Sequence, residues 1–214
     1  MRFTLTLCVG LLLAAAGRAS AADATYTQVT VEQLNRAVPA AAAPGYCSAP
    51  KAAGECATNS QAAAAITNAM ARYGVRRRGE VVALVALMAL ESGDWMYNTN
   101  HFPGRPGQGT RAMLMYPYTY AYAKALHPAD TPPAAEGSTD PAVMNQVRGR
   151  VLGDDDSFGA AFWYLVHSAP QYHSDPSKLR DGSLDDFKDY VVNGVGGAWS
   201  QERENAWNLV NAGL

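Results

Sequence analysis

From Glu80 to Glu91 the chain reads EVVALVALMALE, and every position between the two glutamates is apolar. A helix of that composition has no face to offer water, so it belongs at the centre of a domain with other elements packed around it. Leu84, Met88 and Glu91 fall at i, i+4 and i+7, which places the second carboxylate on a face that otherwise carries core residues. A carboxyl group held against apolar surface loses solvation and its pKa rises, which suits a proton donor to a leaving oxygen. Gly93 ends the helix just beyond. Glu91 is therefore the candidate general acid/base. The plainer alternative is a glutamate that reaches water from a helix end, or one satisfied within the structure.

The elements expected around this helix are also helical. QAAAAITNAMARY, 61–73, is a strong helix former with Asn59-Ser60 as cap and Gly74 as its end. The tyrosines at 116, 118, 120 and 122 alternate like a strand, but Pro117 at a helix start and the Ala-rich finish favour a helix to Leu126. STDPAVMNQVRGRVLG, DDDSFGAAFWYLVHSA, SLDDFKDYVVNG and SQERENAWNLVNAG each open on polar or acidic capping residues and then show apolar spacing. Strand signals are few. The expected class is all-α, with about seven helices.

Met1-Arg2, an apolar run from Phe3 to Gly17, and Ala19-Ser20-Ala21 form a secretory signal pattern, with cleavage expected after Ala21. The run is too short to favour a spanning helix, and no later stretch approaches about 18 consecutive apolar residues. A secreted, extracellular protein without a membrane association is the expectation, and a monomer. Cleavage would leave 15 Lys+Arg against 19 Asp+Glu, a balance that lacks the basic stripe of a nucleic-acid binder. Cys47 and Cys56 would remain, nine residues apart, and pair as a disulfide in an oxidising compartment. Residues 22–57 are rich in Ala and Pro and read as an extended lead-in stapled by that disulfide. The globular domain is expected over 58–214.

The loop YNTNHFPGRPGQGTR carries Asn98, Asn100, His101, Arg105, Gln108 and Arg111 on a path constrained by Gly and Pro. Planar polar side chains of this kind suit a ligand with many hydroxyls. The tyrosines that follow offer flat faces with polar tips, as sugar rings require, although half of them would be core in any helix. Trp95, next to the acid, is expected to touch substrate or desolvate Glu91. The histidines at 101, 127, 167 and 173 have no metal-ligand spacing. GRPGQGTR lacks the Lys-Ser/Thr of a phosphate loop, and Glu91-Ser92-Gly93 is not a nucleophile elbow. No metal or organic cofactor is expected.

These residues resemble the lysozyme-like superfamily, in its goose-type lysozyme and lytic transglycosylase branch. There a helix ends in Glu-Ser, a variable loop follows, and a Gly-Leu-Met-Gln segment leads to Pro-x-Thr. Glu91-Ser92 matches the first element, and alignment on Pro117-Tyr118-Thr119 puts Met113 at the family's Met. FGAAFWYLVHS resembles the Ala-x-Tyr-Leu helix through Ala161, Tyr164 and Leu165, and DYVVNGVGGAW stands where the family has Tyr-Asn-Ala-Gly. The likeness spans Gln61 to Leu214 with the elements in order. It departs at Arg111 for Gly, Leu114 for Gln, and Val192 for Tyr, with Tyr190 two residues early and Asn193 in register. The resemblance implies a lysozyme-like helical domain with a deep cleft and cleavage of β-1,4-linked N-acetylhexosamine polymers, peptidoglycan or chitin, by Glu91. Ser92, Met113, Tyr118, Tyr190 and Asn193 then join Trp95 and the loop residues as substrate contacts. A conventional glycosidase needs a second carboxylate, about 5–5.5 Å away for retention or 6.5–9.5 Å for inversion. Asp94 and Asp154-Asp155-Asp156 are the candidates, whereas the transglycosylase branch works with one Glu. A non-catalytic glycan or protein binder on the same scaffold is the rival reading.

Overall fold

The computed structural model describes residues 25–48, 54–180 and 182–214. The signal pattern at 1–21 lies outside the described residues. Among them the fold is all-helical, with nine α-helices and only isolated β-bridges. In chain order the helices are α1 Val31–Ala37, α2 Asn59–Tyr73, α3 Arg78–Ser92, α4 Tyr116–Leu126 and α5 Pro141–Gly149. They continue as α6 Asp154–His167, α7 Gln171–Ser174, α8 Leu184–Asp189 and α9 Gln201–Gly213. No helix among the described residues is long and apolar enough to cross a membrane.

The apolar run from Val81 to Ala89 forms most of α3 and is buried throughout. At roughly 1.5–3 kcal/mol for each fully buried Val, Leu or Met side chain, this helix supplies a large share of the driving force for collapse. It packs mainly against α9 and also against α6, while α6 packs on α2. Gly93 closes α3 in the left-handed conformation, with φ 59°. The buried glutamate of this helix is Glu80, 1% exposed, at its first turn. Arg77 and His173 pair with it, His173 Nδ1 at 2.8 Å.

All seven helices expected from the sequence form. The cap of α2 is Thr58, one residue before the expected Asn59-Ser60. Thr58 Oγ1 accepts from the Gln61 N–H while the Gln61 side chain accepts from the Thr58 N–H, a reciprocal capping box. Asn59 instead turns inward and donates to Asn35 and to the Val38 carbonyl.

The lead-in carries structure of its own. Thr30 and Gln33 make a second capping box at the start of α1, and Val29, Leu34, Ala37, Val38 and Ala41 join the core. The helix α1 lies on α9 at Gly213, where a Cβ would come within 2.5 Å of the Ala37 nitrogen. Two short 3₁₀ turns, Pro39–Ala42 and Tyr46–Ser48, lead on to the disulfide. Cys47 and Cys56 are bonded, with Cα atoms 5.4 Å apart.

Candidate functional site

The C-terminal end of α3 opens into a cleft of about 240 Å³ lined by Glu91, Tyr97, Thr99, Asn100, His101, Phe102 and Met113. Met113 also lines a smaller pocket of about 80 Å³, whose walls include Leu87, Tyr118, Tyr164 and Tyr190. One side of the site is thus polar, with a carboxylate, an amide and an imidazole. The other is aromatic and apolar.

Glu91 is 27% exposed in its side chain, so the wholly apolar wall expected for it is not there. Arg203 from α9 places Nη2 2.7 Å from Glu91 Oε1, and its Nε–H donates to the Ala198 carbonyl. Arg203 Nη1 is buried without a partner among the described residues. No sequence signal near Glu91 pointed to this residue, because α9 meets α3 only through the tertiary packing.

Several expected contacts lie elsewhere. Ser92 is fully buried: its hydroxyl donates to the Met88 carbonyl and accepts from the Trp95 N–H, locking the helix end. Trp95 is also fully buried, donating to Asn59 Oδ1 and meeting Phe158 edge-on. The reason is the turn. Gly93, Asp94 and Trp95 are all left-handed, with φ of 59°, 56° and 71°, and three such residues in a row reverse the chain and drive the indole into the core. Asn98 donates to the Leu152 carbonyl, and Gln108 to the Met113 carbonyl, both from buried positions. Arg105 and Asn193 are exposed and outside the cleft lining, Arg105 near Met115 Sδ and Asn193 bonded to Asp189. Asn100 does line the cleft, while its Oδ1 accepts from the N–H groups of Gly104 and Arg105 and so shapes the loop.

The apolar side gathers residues that sequence reasoning did select. Tyr118 and Tyr164 meet edge-on with ring centres 5.0 Å apart, and Tyr164 donates to the Gly194 carbonyl. Burial, with Tyr118 alongside, pushes the Tyr164 phenol up to about 12. Tyr190 begins a five-residue π-turn, Tyr190–Gly194, after α8. It is fully buried, its hydroxyl has no partner among the described residues, and burial raises its pKa.

Neither expected second carboxylate lines the cleft. Burial raises the pKa of Asp94. Asp154, Asp155 and Asp156 fill the first turn of α6, where they accept from Gln61, Asn68 and Arg72 of α2. Glu55, from the lead-in, does not line the cleft either, but it is bonded to a residue that does, His101. Its Oε1 lies 2.8 Å from His101 Nε2, and its Oε2 accepts from the N–H groups of Asn98 and Thr99. Phe102, 83% exposed at the lip of the cleft, was also missed. A lone aromatic inside a Gly/Pro loop was the available signal for it.

Arg111 ties the Glu55 segment to the turn that follows α3. Fully buried, it donates from Nη1 to the Trp95 and Tyr97 carbonyls and from Nη2 to that of Glu55. Burial pushes its pKa down to about 10, so it stays cationic at neutral pH. Its guanidinium also lies over the Phe158 ring, 5.1 Å from the centroid.

Among known proteins, a bifunctional dioxygenase–epoxy alcohol synthase of Fusarium oxysporum (strain Fo5176) is 38% identical to this chain over 113 residues. The match takes in 49% of this chain, and the chain spans 8% of that protein's length. It relates part of this chain to a small part of a far larger protein and carries neither activity across. No protein-family model matches, and no solved structure matches significantly.

Proposed function

We propose that this protein is a secreted, monomeric glycan-cleaving enzyme of lysozyme or lytic transglycosylase type, acting on β-1,4-linked N-acetylhexosamine polymers such as peptidoglycan or chitin. The observation that carries the reading is the placement of Glu91. A carboxylate on the end of a rigid, buried helix shares one open cleft with Tyr97, Asn100, His101 and Phe102. Aromatic faces beside planar hydrogen-bonding groups match the alternating apolar and hydroxylated surfaces of a sugar ring. Glu91 then protonates the glycosidic oxygen, and Met113, Tyr118 and Tyr190 shape the adjoining apolar pocket for a small substituent on the ring.

The ion pair with Arg203 favours a second reading. A carboxylate tied to a guanidinium across α3 and α9 also suits a scaffold that holds glycan without cutting it. One experiment separates the two: mass spectrometry of peptidoglycan, chitin and chitosan incubated with the protein or with Glu91→Gln. Cleavage by the wild type, with a loss of roughly 10²–10⁴-fold in the variant, is the expected result for an acid/base. Retention on one polymer without fragments supports the binder, and neither fragments nor retention removes both readings.

A further inference from the structure

Glu55 and His101 form a pair that the function above does not use. The imidazole lines the same cleft as Glu91 and is 41% exposed, whereas the Glu55 carboxylate is 20% exposed. An ionised carboxylate only accepts, so the 2.8 Å contact requires the proton on His101 Nε2. In the neutral ring that leaves the lone pair on Nδ1, and Nδ1 makes no hydrogen bond to a described residue. Glu55 is itself occupied: Oε1 serves His101, and Oε2 takes the N–H groups of Asn98 at 3.1 Å and Thr99 at 3.2 Å. It is therefore placed to orient the ring and not to react.

Much of the surrounding structure fixes that orientation. Cys56, in the disulfide, is the next residue after Glu55, and Arg111 Nη2 binds the Glu55 carbonyl at 2.6 Å. Tyr97 meets the imidazole edge-on, with ring centres 5.3 Å apart. A surface histidine in a loop needs no such support for packing alone.

We propose that His101, oriented by Glu55, is the second proton-transfer group of the cleft, the general base that activates water. This rests on the glycan-cleaving reading above. Glu91 gives its proton to the glycosidic oxygen, which leaves with the bonding pair of the C1–O bond. A water gives an oxygen lone pair to C1 and its proton to His101 Nδ1, so one water is consumed and a free reducing end forms. His101 then releases its proton to solvent and Glu91 takes one up, which restores both groups. The chemistry is hydrolysis, and no anhydro end is made.

The test uses wild type, Glu91→Gln, His101→Ala, His101→Gln and Glu55→Gln on chitin and peptidoglycan oligomers in ¹⁸O-labelled water. The proposal expects one ¹⁸O at each new reducing end and a loss of roughly 10²-fold or more in His101→Ala, restored in part by added imidazole. His101→Gln keeps an N–H for Glu55 and the loop's shape but no base, so it should fold and stay inactive. Glu55→Gln should lose activity that imidazole does not restore, and ¹⁵N spectra at neutral pH should show the Nε2–H tautomer of His101 in the wild type. Full activity in His101→Gln, failure of imidazole to rescue His101→Ala, an Nδ1–H tautomer, or unlabelled anhydro ends each overturns the dyad while leaving Glu91 dependence intact. Absence of cleavage by the wild type overturns the glycan-cleaving reading, and the dyad with it.

Discussion

Glu91, which lines the cleft, and Glu55, which is bonded to the cleft's His101, are held in opposite ways. Glu91 stands on α3, whose place is set by apolar packing along nearly its whole length, and among the described residues its one charged partner is Arg203. Glu55 stands on an irregular stretch, and there the position comes from bonds: a disulfide next door, Arg111 on its carbonyl, two N–H groups and an imidazole on its carboxylate. A helix places a side chain through burial spread over many residues. A loop has no such face, so a few strong, specific contacts must do the same, and each of them becomes a point at which the arrangement can be broken selectively.

Arg111 is the largest such point. Removing it in Arg111→Ala leaves the part-buried carbonyls of Glu55 and Tyr97 without this donor, while the buried Trp95 carbonyl keeps only the Ala57 N–H. Each unsatisfied buried group costs on the order of 1–3 kcal/mol, so a loss of about 3–5 kcal/mol is expected even after relief of the buried charge. Urea unfolding measures it. Arg111→Lys should fall between, because an ammonium cannot serve three carbonyls in the fork geometry of a guanidinium. If the alanine variant is as stable as the wild type, the loop wall is held by something else and the contrast with Glu91 fails.

The disulfide comes next. Cys47→Ala with Cys56→Ala opens a short loop worth about 2–3 kcal/mol in the chain-entropy model. Because Cys56 adjoins Glu55, the loss should also change the His101 imidazole resonances while leaving the α3 amides and their exchange protection in place. Equal perturbation of both regions would show that the lead-in and the α3 core are one cooperative unit with no difference in how they hold their acids.

What could be read in the sequence follows the same division. The seven helices were legible because period, caps and terminal glycines are local signals: Pro117 at the start of α4 and Gly93 after α3 act within one turn of themselves. Glu91 was legible for the same reason, as an acid at the end of an apolar run. Its environment was not, since Arg203 lies 112 positions away in sequence and only the packing of α9 on α3 brings it in. Trp95 and Ser92 misled because neighbours in sequence separate in space when three left-handed residues reverse the chain. Glu55 lay in an Ala/Pro-rich segment whose composition suggested a spacer, and composition cannot show that Arg111, fifty-six residues on, reaches back for its carbonyl.

The smallest change tests whether the helix side is as independent as this comparison requires. Thr58 caps α2 two residues after Cys56, so it stands where the Glu55 segment passes into a helix. Thr58→Ala removes the side-chain acceptor for the Gln61 N–H and half of the capping box, a loss of about 1 kcal/mol. The contacts that hold Glu55 reach it from Arg111, His101, Asn98 and Thr99, none of which bonds to Thr58. Thermal unfolding should therefore shift down by a few degrees, since 1 kcal/mol is worth roughly 2–4 °C in a domain of this size. The His101 tautomer and resonances should not move. A shift in them would mean that the start of α2 helps to aim Glu55, and the carboxylate would then owe its place to helix packing as well as to bonds.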